Sequence, residues 1–202
     1  MIRRKSTPYL LAFGIFSGLL LTACHDQISS HSALFRHIFA NDSATFRGTN
    51  IGDMMSHVRE VELPNRPEHD DKLGTSYFIP IDSATTMLVD YYSDNIRNER
   101  SQERVASIVA NISLNDEVQT AQLYSEIQTY FNSSYGIYSG TYGDYSWNAG
   151  TRYTPEMEVR LLLAENKKGI TLNFVNTLPE YLADSVAVPF KVQAGIDSIK
   201  QN

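Results

Sequence analysis

Asn115-Asp116-Glu117-Val118-Gln119-Thr120-Ala121-Gln122-Leu123-Tyr124-Ser125-Glu126-Ile127-Gln128-Thr129-Tyr130-Phe131-Asn132-Ser133-Ser134-Tyr135-Gly136 is the stretch whose reading decides the fold. Leu123, Ile127, Tyr130 and Phe131 recur at i, i+4, i+7 and i+8, one stripe along a helix. The spacing predicts a helix from about Asp116 to Ser134. Asn115 is its expected cap, and Asp116 and Glu117 suit its positive N-terminal end. Gly136 ends it, since glycine takes left-handed turns at little cost. A helix with one apolar stripe has to lie on something, and the flanking sequence supplies strands.

Upstream, Thr75 to Ile81 and Ala84 to Tyr92 are rich in β-branched and aromatic residues, with Pro80, Asp82 and Ser83 as turn material. From Val105 to Leu114, Ala106, Ile108, Ala110 and Ile112 alternate with Val105, Ser107, Val109 and Asn111, the pattern of a strand with one face toward water. Downstream, Glu156 to Glu165 and Ile170 to Thr177 flank Asn166-Lys167-Lys168-Gly169 and read as a hairpin. Met157, Val159, Leu161 and Leu163 share one face of it, and Ile170, Leu172 and Phe174 another. A shorter helix is expected after Asp53, with Met54, Val58 and Val61 on one side and Pro64 and Pro67 to stop it. Glu68-His69-Asp70-Asp71 reads as a polar loop. Ser185 to Val192, with Pro189 inside it, reads as an edge strand.

The fold class is therefore α+β: an antiparallel sheet with one long and one shorter helix packed on it. Helix followed by three strands occurs twice, from Gly52 to Leu114 and from Asn115 to Thr177. The opening Gly52-Asp53-Met54-Met55-Ser56-His57-Val58 resembles that of the SmpA/OmlA and β-lactamase-inhibitor-like modules. That resemblance implies a small periplasmic helix-plus-sheet domain used for binding other proteins. The glycine-proline that follows the helix in those modules is replaced here by Leu63-Pro64.

The N-terminus has its own pattern. Arg3, Arg4 and Lys5 precede an uncharged apolar stretch from Tyr9 to Leu21, as in a secretory signal. The stretch is too short for a comfortable membrane span, which needs roughly 20 residues. It ends in Leu21-Thr22-Ala23-Cys24, which resembles the bacterial lipobox. The resemblance implies cleavage before Cys24 and a lipid on its thiol. Cys24 is the single cysteine of the chain, so it has no partner for an internal disulfide. In enterobacterial lipoproteins an aspartate directly after the cysteine retains the protein at the inner membrane. Here His25 follows, and by that resemblance the periplasmic face of the outer membrane is favoured over the inner membrane or the cell surface. The expected organisation is a signal peptide over 1–23, a flexible lipidated tether over 24–45 and a single α+β domain over 46–202. Within the tether, Leu34, Phe35, Ile38 and Phe39 form an apolar patch suited to a short docking helix.

The chain of 202 residues has 17 basic and 23 acidic residues, and three of the basic ones lie before Cys24. The mature chain thus carries 14 basic against 23 acidic residues, a net charge of −9. Such a balance disfavours nucleic acid as a partner. No catalytic pattern, metal site or cofactor motif is expected. Gly136-Ile137-Tyr138-Ser139-Gly140 has the wrong spacing for a nucleophile elbow. His69, Asp70 and Asp71 read as a solvated loop, and Gly48 to Gly52 lacks the lysine of a phosphate-binding loop.

The segment from Tyr135 to Tyr153 is aromatic and glycine-spaced. Tyr138, Tyr142, Tyr145, Trp147 and Tyr153 are candidates for a binding surface, since such side chains combine apolar area with a polar handle. The same residues suit cross-strand packing beneath the helix. The reading is a non-catalytic, membrane-anchored binding or assembly accessory, with an envelope protein or a glycan as partner. Two rivals are a cell-wall or glycan hydrolase using acids such as Asp144 or Glu156, and an inhibitor or immunity lipoprotein acting on a toxin or lysozyme.

Overall fold

The computed structural model describes residues 30–40, 44–63, 65–94, 103–149 and 157–177. The segment expected as a leader, Cys24, the residues Tyr153 and Glu156, and the segment Ser185 to Val192 lie outside the described residues.

Among the described residues, three helices precede or interrupt eight strands: α1 (Ala33–Phe39), α2 (Met55–Val61), β1 (Pro67–Asp70), β2 (Gly74–Pro80), β3 (Thr85–Ser93), β4 (Val105–Leu114), α3 (Glu117–Tyr135), β5 (Ser139–Thr141), β6 (Asp144–Asn148), β7 (Met157–Leu163) and β8 (Gly169–Asn176). All strands join one antiparallel sheet in the order β1-β2-β3-β4-β8-β7-β6-β5. The order has a simple meaning. Two four-stranded meanders each run from an outer edge inward, and their last strands, β4 and β8, pair at the centre. Helix followed by strands does occur twice, with four strands rather than three.

The extra strands come from segments without a burial signal. All of β1 is exposed, and it is held by backbone pairing to β2 with a bulge near His69. The stretch expected as a loop is therefore an edge strand. The three residues of β5 are also exposed. Periodicity detects a strand only when one of its faces is buried.

All three helices lie on one side of the sheet. Phe131 of α3 meets Trp147, Phe174 and Phe39 with ring centroids 5.3, 5.9 and 5.9 Å apart. The expected stripe Leu123, Ile127, Tyr130 and Phe131 is buried, together with Tyr124. Asp116, not Asn115, caps this helix, its side chain accepting from the Gln119 N–H at 2.9 Å. Gly136 ends it at φ +88°, where a side chain would be strained. In α2 the buried residues are Met55 and Val58, while Met54 is exposed. Asp53 does not cap this helix: its carboxylate accepts from the Asn50 N–H instead, at 2.7 Å.

The apolar patch before residue 45 forms α1, with Phe35, Ile38 and Phe39 buried. Ser32 caps it, and Glu126 of α3 accepts from the Ser32 N–H and Oγ at 2.6 and 2.7 Å. Its other end is held by Arg47. Arg47 Nη1 donates to the carbonyls of His37 and Ile38, while Nε and Nη2 form a two-pronged bond to Glu62 at 2.9 and 3.1 Å. Glu62 is 1% exposed and also accepts from Tyr91 Oη at 2.6 Å. The packed body thus begins by Ser30, before residue 46.

Candidate binding surface

With the helices on one side, every second strand residue faces the other way. On that face the described residues place no second layer. The pairing register arranges its side chains in rows across the sheet. One row runs Ser76, Asp90, Val109, Asn173, Arg160, Ser146 and Ser139. The next runs Phe78, Leu88, Asn111, Thr171, Leu162, Asp144 and Thr141. A third includes Tyr92, Ser107, Val175, Glu158 and Asn148.

These rows mix short polar side chains with Phe78, Leu88, Val109, Leu162 and Val175. The polar groups are largely tied to one another. Ser76 Oγ donates to Asp90 at 2.6 Å, and Thr171 Oγ1 donates to Asn111 Oδ1 at 2.9 Å. Arg160 Nη2 donates to both carboxylate oxygens of Asp144, at 3.1 and 3.0 Å. Burial holds the Asp90 carboxyl above the usual carboxylate range, partly offset by the Ser76 hydrogen bond. Asn173, at the centre, is 7% exposed and its Oδ1 has no hydrogen-bond partner. An unpaired buried acceptor costs about 1–3 kcal/mol. Eight strands spaced about 4.8 Å apart make this face about 38 Å wide.

The aromatic segment divides differently. Trp147 is 1% exposed and donates from Nε1 to Asn132 Oδ1 at 3.0 Å, and Tyr145 is 8% exposed. Both point toward the helices, so they belong to the core and are corrected from surface to interior. Tyr142 and Tyr138 are exposed, at 67% and 38%. They flank the helix layer, Tyr138 against Tyr145 with ring centroids 4.4 Å apart and Tyr142 against Tyr124 at 5.5 Å. Sequence alone had no means of separating these four, because the residue types are alike and the packing of the edge hairpin beside α3 decides which rings are covered. The rows of the open face were missed for the same reason, since they draw on seven strands.

The other polar candidates have structural partners. Ser139 Oγ lies 2.8 Å from Ser146 Oγ on the edge hairpin. Asp70 is paired with Arg59 at 2.8 Å, and Asp71 accepts from the Leu73 N–H and lies 2.8 Å from His69 Nε2. Those bonds hold the Asp71 carboxyl below its usual range, the Leu73 N–H most strongly. Among the described residues, no three His, Cys, Asp or Glu side chains group so as to hold a metal ion. No helix there is long and apolar enough to cross a membrane.

No protein-family model matches this chain, and neither a curated protein nor a solved structure shows a match to it.

Proposed function

We propose that this protein is a non-catalytic lipoprotein, anchored through Cys24 at the periplasmic face of the outer membrane, that binds an envelope protein or a glycan on its open sheet face. The observation that carries the reading is the one-sided architecture. Among the described residues, helices cover the eight-stranded sheet on one side only, which leaves a surface about 38 Å wide. A standard interface needs about 800 Å² per partner, which about 20 Å of strand length supplies at that width. The mix of short polar and apolar residues on the rows matches the composition of non-obligate interfaces, which are barely more apolar than the rest of a surface.

Separate variants test the two halves of this reading. Cys24→Ser abolishes radiolabelled lipid incorporation and membrane retention; a variant still labelled would refute the anchor. For the surface, photo-crosslinking groups placed at Leu88 and Thr171 capture a discrete partner in intact envelopes, and the same group at Lys167, in the β7–β8 turn, does not. Glycan as the partner is read by co-sedimentation with purified peptidoglycan, lost in Leu88→Arg. Equal capture from Lys167 and from the rows, with no co-sedimentation, would remove the open face from consideration.

A further inference from the structure

We infer that the helix layer lies against the bilayer, with the outer surface of α3 and the residues Ile137, Tyr138 and Tyr142 on the lipid surface and the open sheet face turned away from it. This inference rests on the lipid anchor proposed above.

The first argument is reach. The chain joins the folded body at Ser30 to Ser32, beside the middle of α3, where His31 and Ser32 are bonded to Glu126. His31 lines a shallow groove there with Val118, Ala121, Gln122, Ser125 and Thr129 of α3. Only His25, Asp26, Gln27, Ile28 and Ser29 separate Cys24 from Ser30. Six steps of fully extended chain span at most about 21 Å.

To lay the open face on the bilayer, the arm would have to pass the helix layer, the sheet and the side chains beyond it, roughly 20 Å of depth. α3 packs on β4, β6 and β8, and of these β6 lies one strand spacing from the β5 edge, or about 5 Å sideways. The straight line is then about 21 Å, the whole reach of the arm at full extension, with nothing left to follow the outline of the body. Presenting the helix side requires no detour at all.

The second argument is the surface itself. The mature chain is acidic, and an anionic bilayer repels acidic patches. The solvent side of α3 carries, beyond the exposed Glu117 of its first turn, the uncharged Val118, Ala121, Gln122, Ser125 and Thr129, and its Glu126 is occupied by Ser32 and His31. Beside it, Ile137 is 96% exposed, and Val118 and Tyr142 are each 67% exposed. Tyrosines and isolated apolar side chains at the level of lipid headgroups are a stable arrangement, since each ring keeps its hydroxyl in water.

The test uses the lipidated full-length protein in vesicles of phosphatidylethanolamine and phosphatidylglycerol. Lipidation blocks the single native thiol, so an introduced cysteine is a unique labelling site. Gln122→Cys on α3 and Asn148→Cys on the open face, both exposed, each receive a fluorophore. Headgroup spin-labelled lipid is expected to quench the label at position 122 several-fold more than that at 148. A long glycine-serine spacer inserted between Gln27 and Ile28 is expected to reduce that ratio. Equal quenching, or stronger quenching at 148, in protein that floats with the vesicles would overturn the orientation while leaving the anchor intact. Protein that fails to float and carries an unmodified Cys24 would overturn both.

Discussion

The two halves of the sheet share one plan and are held to their helices by different physics. In the first half, α2 has seven residues and contributes only Met55 and Val58 to the core. It is fixed largely by polar bonds: Glu62, just past its end, binds Arg47 and Tyr91 in the interior. In the second half, α3 has 19 residues and buries Leu123, Tyr124, Ile127, Tyr130 and Phe131. A helix of two turns has too little apolar surface to secure itself, so specific charge-assisted bonds take over. A five-turn helix has area to spare and is held by aromatic packing. Both solutions cover the same side of the sheet, and among the described residues its other side stays open.

Breaking the apolar half has the largest expected effect. Phe131→Ala should cost about 3–5 kcal/mol, because it leaves a cavity among Trp147, Phe174 and Phe39. Val58→Ala in the short helix should cost about 2 kcal/mol, as it removes two methyl groups. Urea titration measures both. Equal costs would mean that the two helices are secured alike.

The polar half is broken by charge. Glu62→Leu strands the Arg47 guanidinium and should cost about 3 kcal/mol or more. Removing both charges in Arg47→Met/Glu62→Leu should restore most of that loss, since the penalty lies in the unpaired charge. A double variant as unstable as the single would show that Glu62 acts mainly through Tyr91.

Alkaline pH sharpens the comparison with a smaller effect. Burial raises the Tyr124 phenol from 10.0 to about 12, and the hydrogen bond from the Gly143 N–H opposes that shift only in part. Burial also raises Tyr91 well above its ordinary value, and the adjacent Glu62 adds to this. A group whose folded pKa is raised contributes stability that is whole below its unfolded pKa and lost as pH climbs through the folded one. Thermal midpoints should therefore hold below pH 10 and fall from there toward about 12. Tyr124→Phe and Tyr91→Phe should each flatten that slope. Tyr124 should ionise before Tyr91, as read from tyrosinate absorbance. The reverse order would place the less protected ring in the first half.

Legibility followed burial. The helix over 117–135, strand β4 and the β7–β8 hairpin were readable from local sequence because each buries one face, and one-sided burial writes a period into the residues. The edge strands β1 and β5 bury nothing and wrote no period. Likewise, Asp116 and Asn115 are equally good caps on paper, and Met54 and Met55 equally apolar. Only the packed geometry chose between them.

What the sequence determined by itself is the α+β class, the long amphipathic helix and the acidic balance. Tertiary structure alone decided that β4 meets β8, that Tyr145 and Trp147 are covered while Tyr142 stays exposed beside α3, and that Glu62 and Arg47 meet in the interior. It also aligned seven strands into the rows of the open face. The reason is range. Periodicity records which face of one element is buried, whereas pairing between strands some 60 residues apart, such as Asn111 with Thr171, depends on the shape and register of the whole sheet.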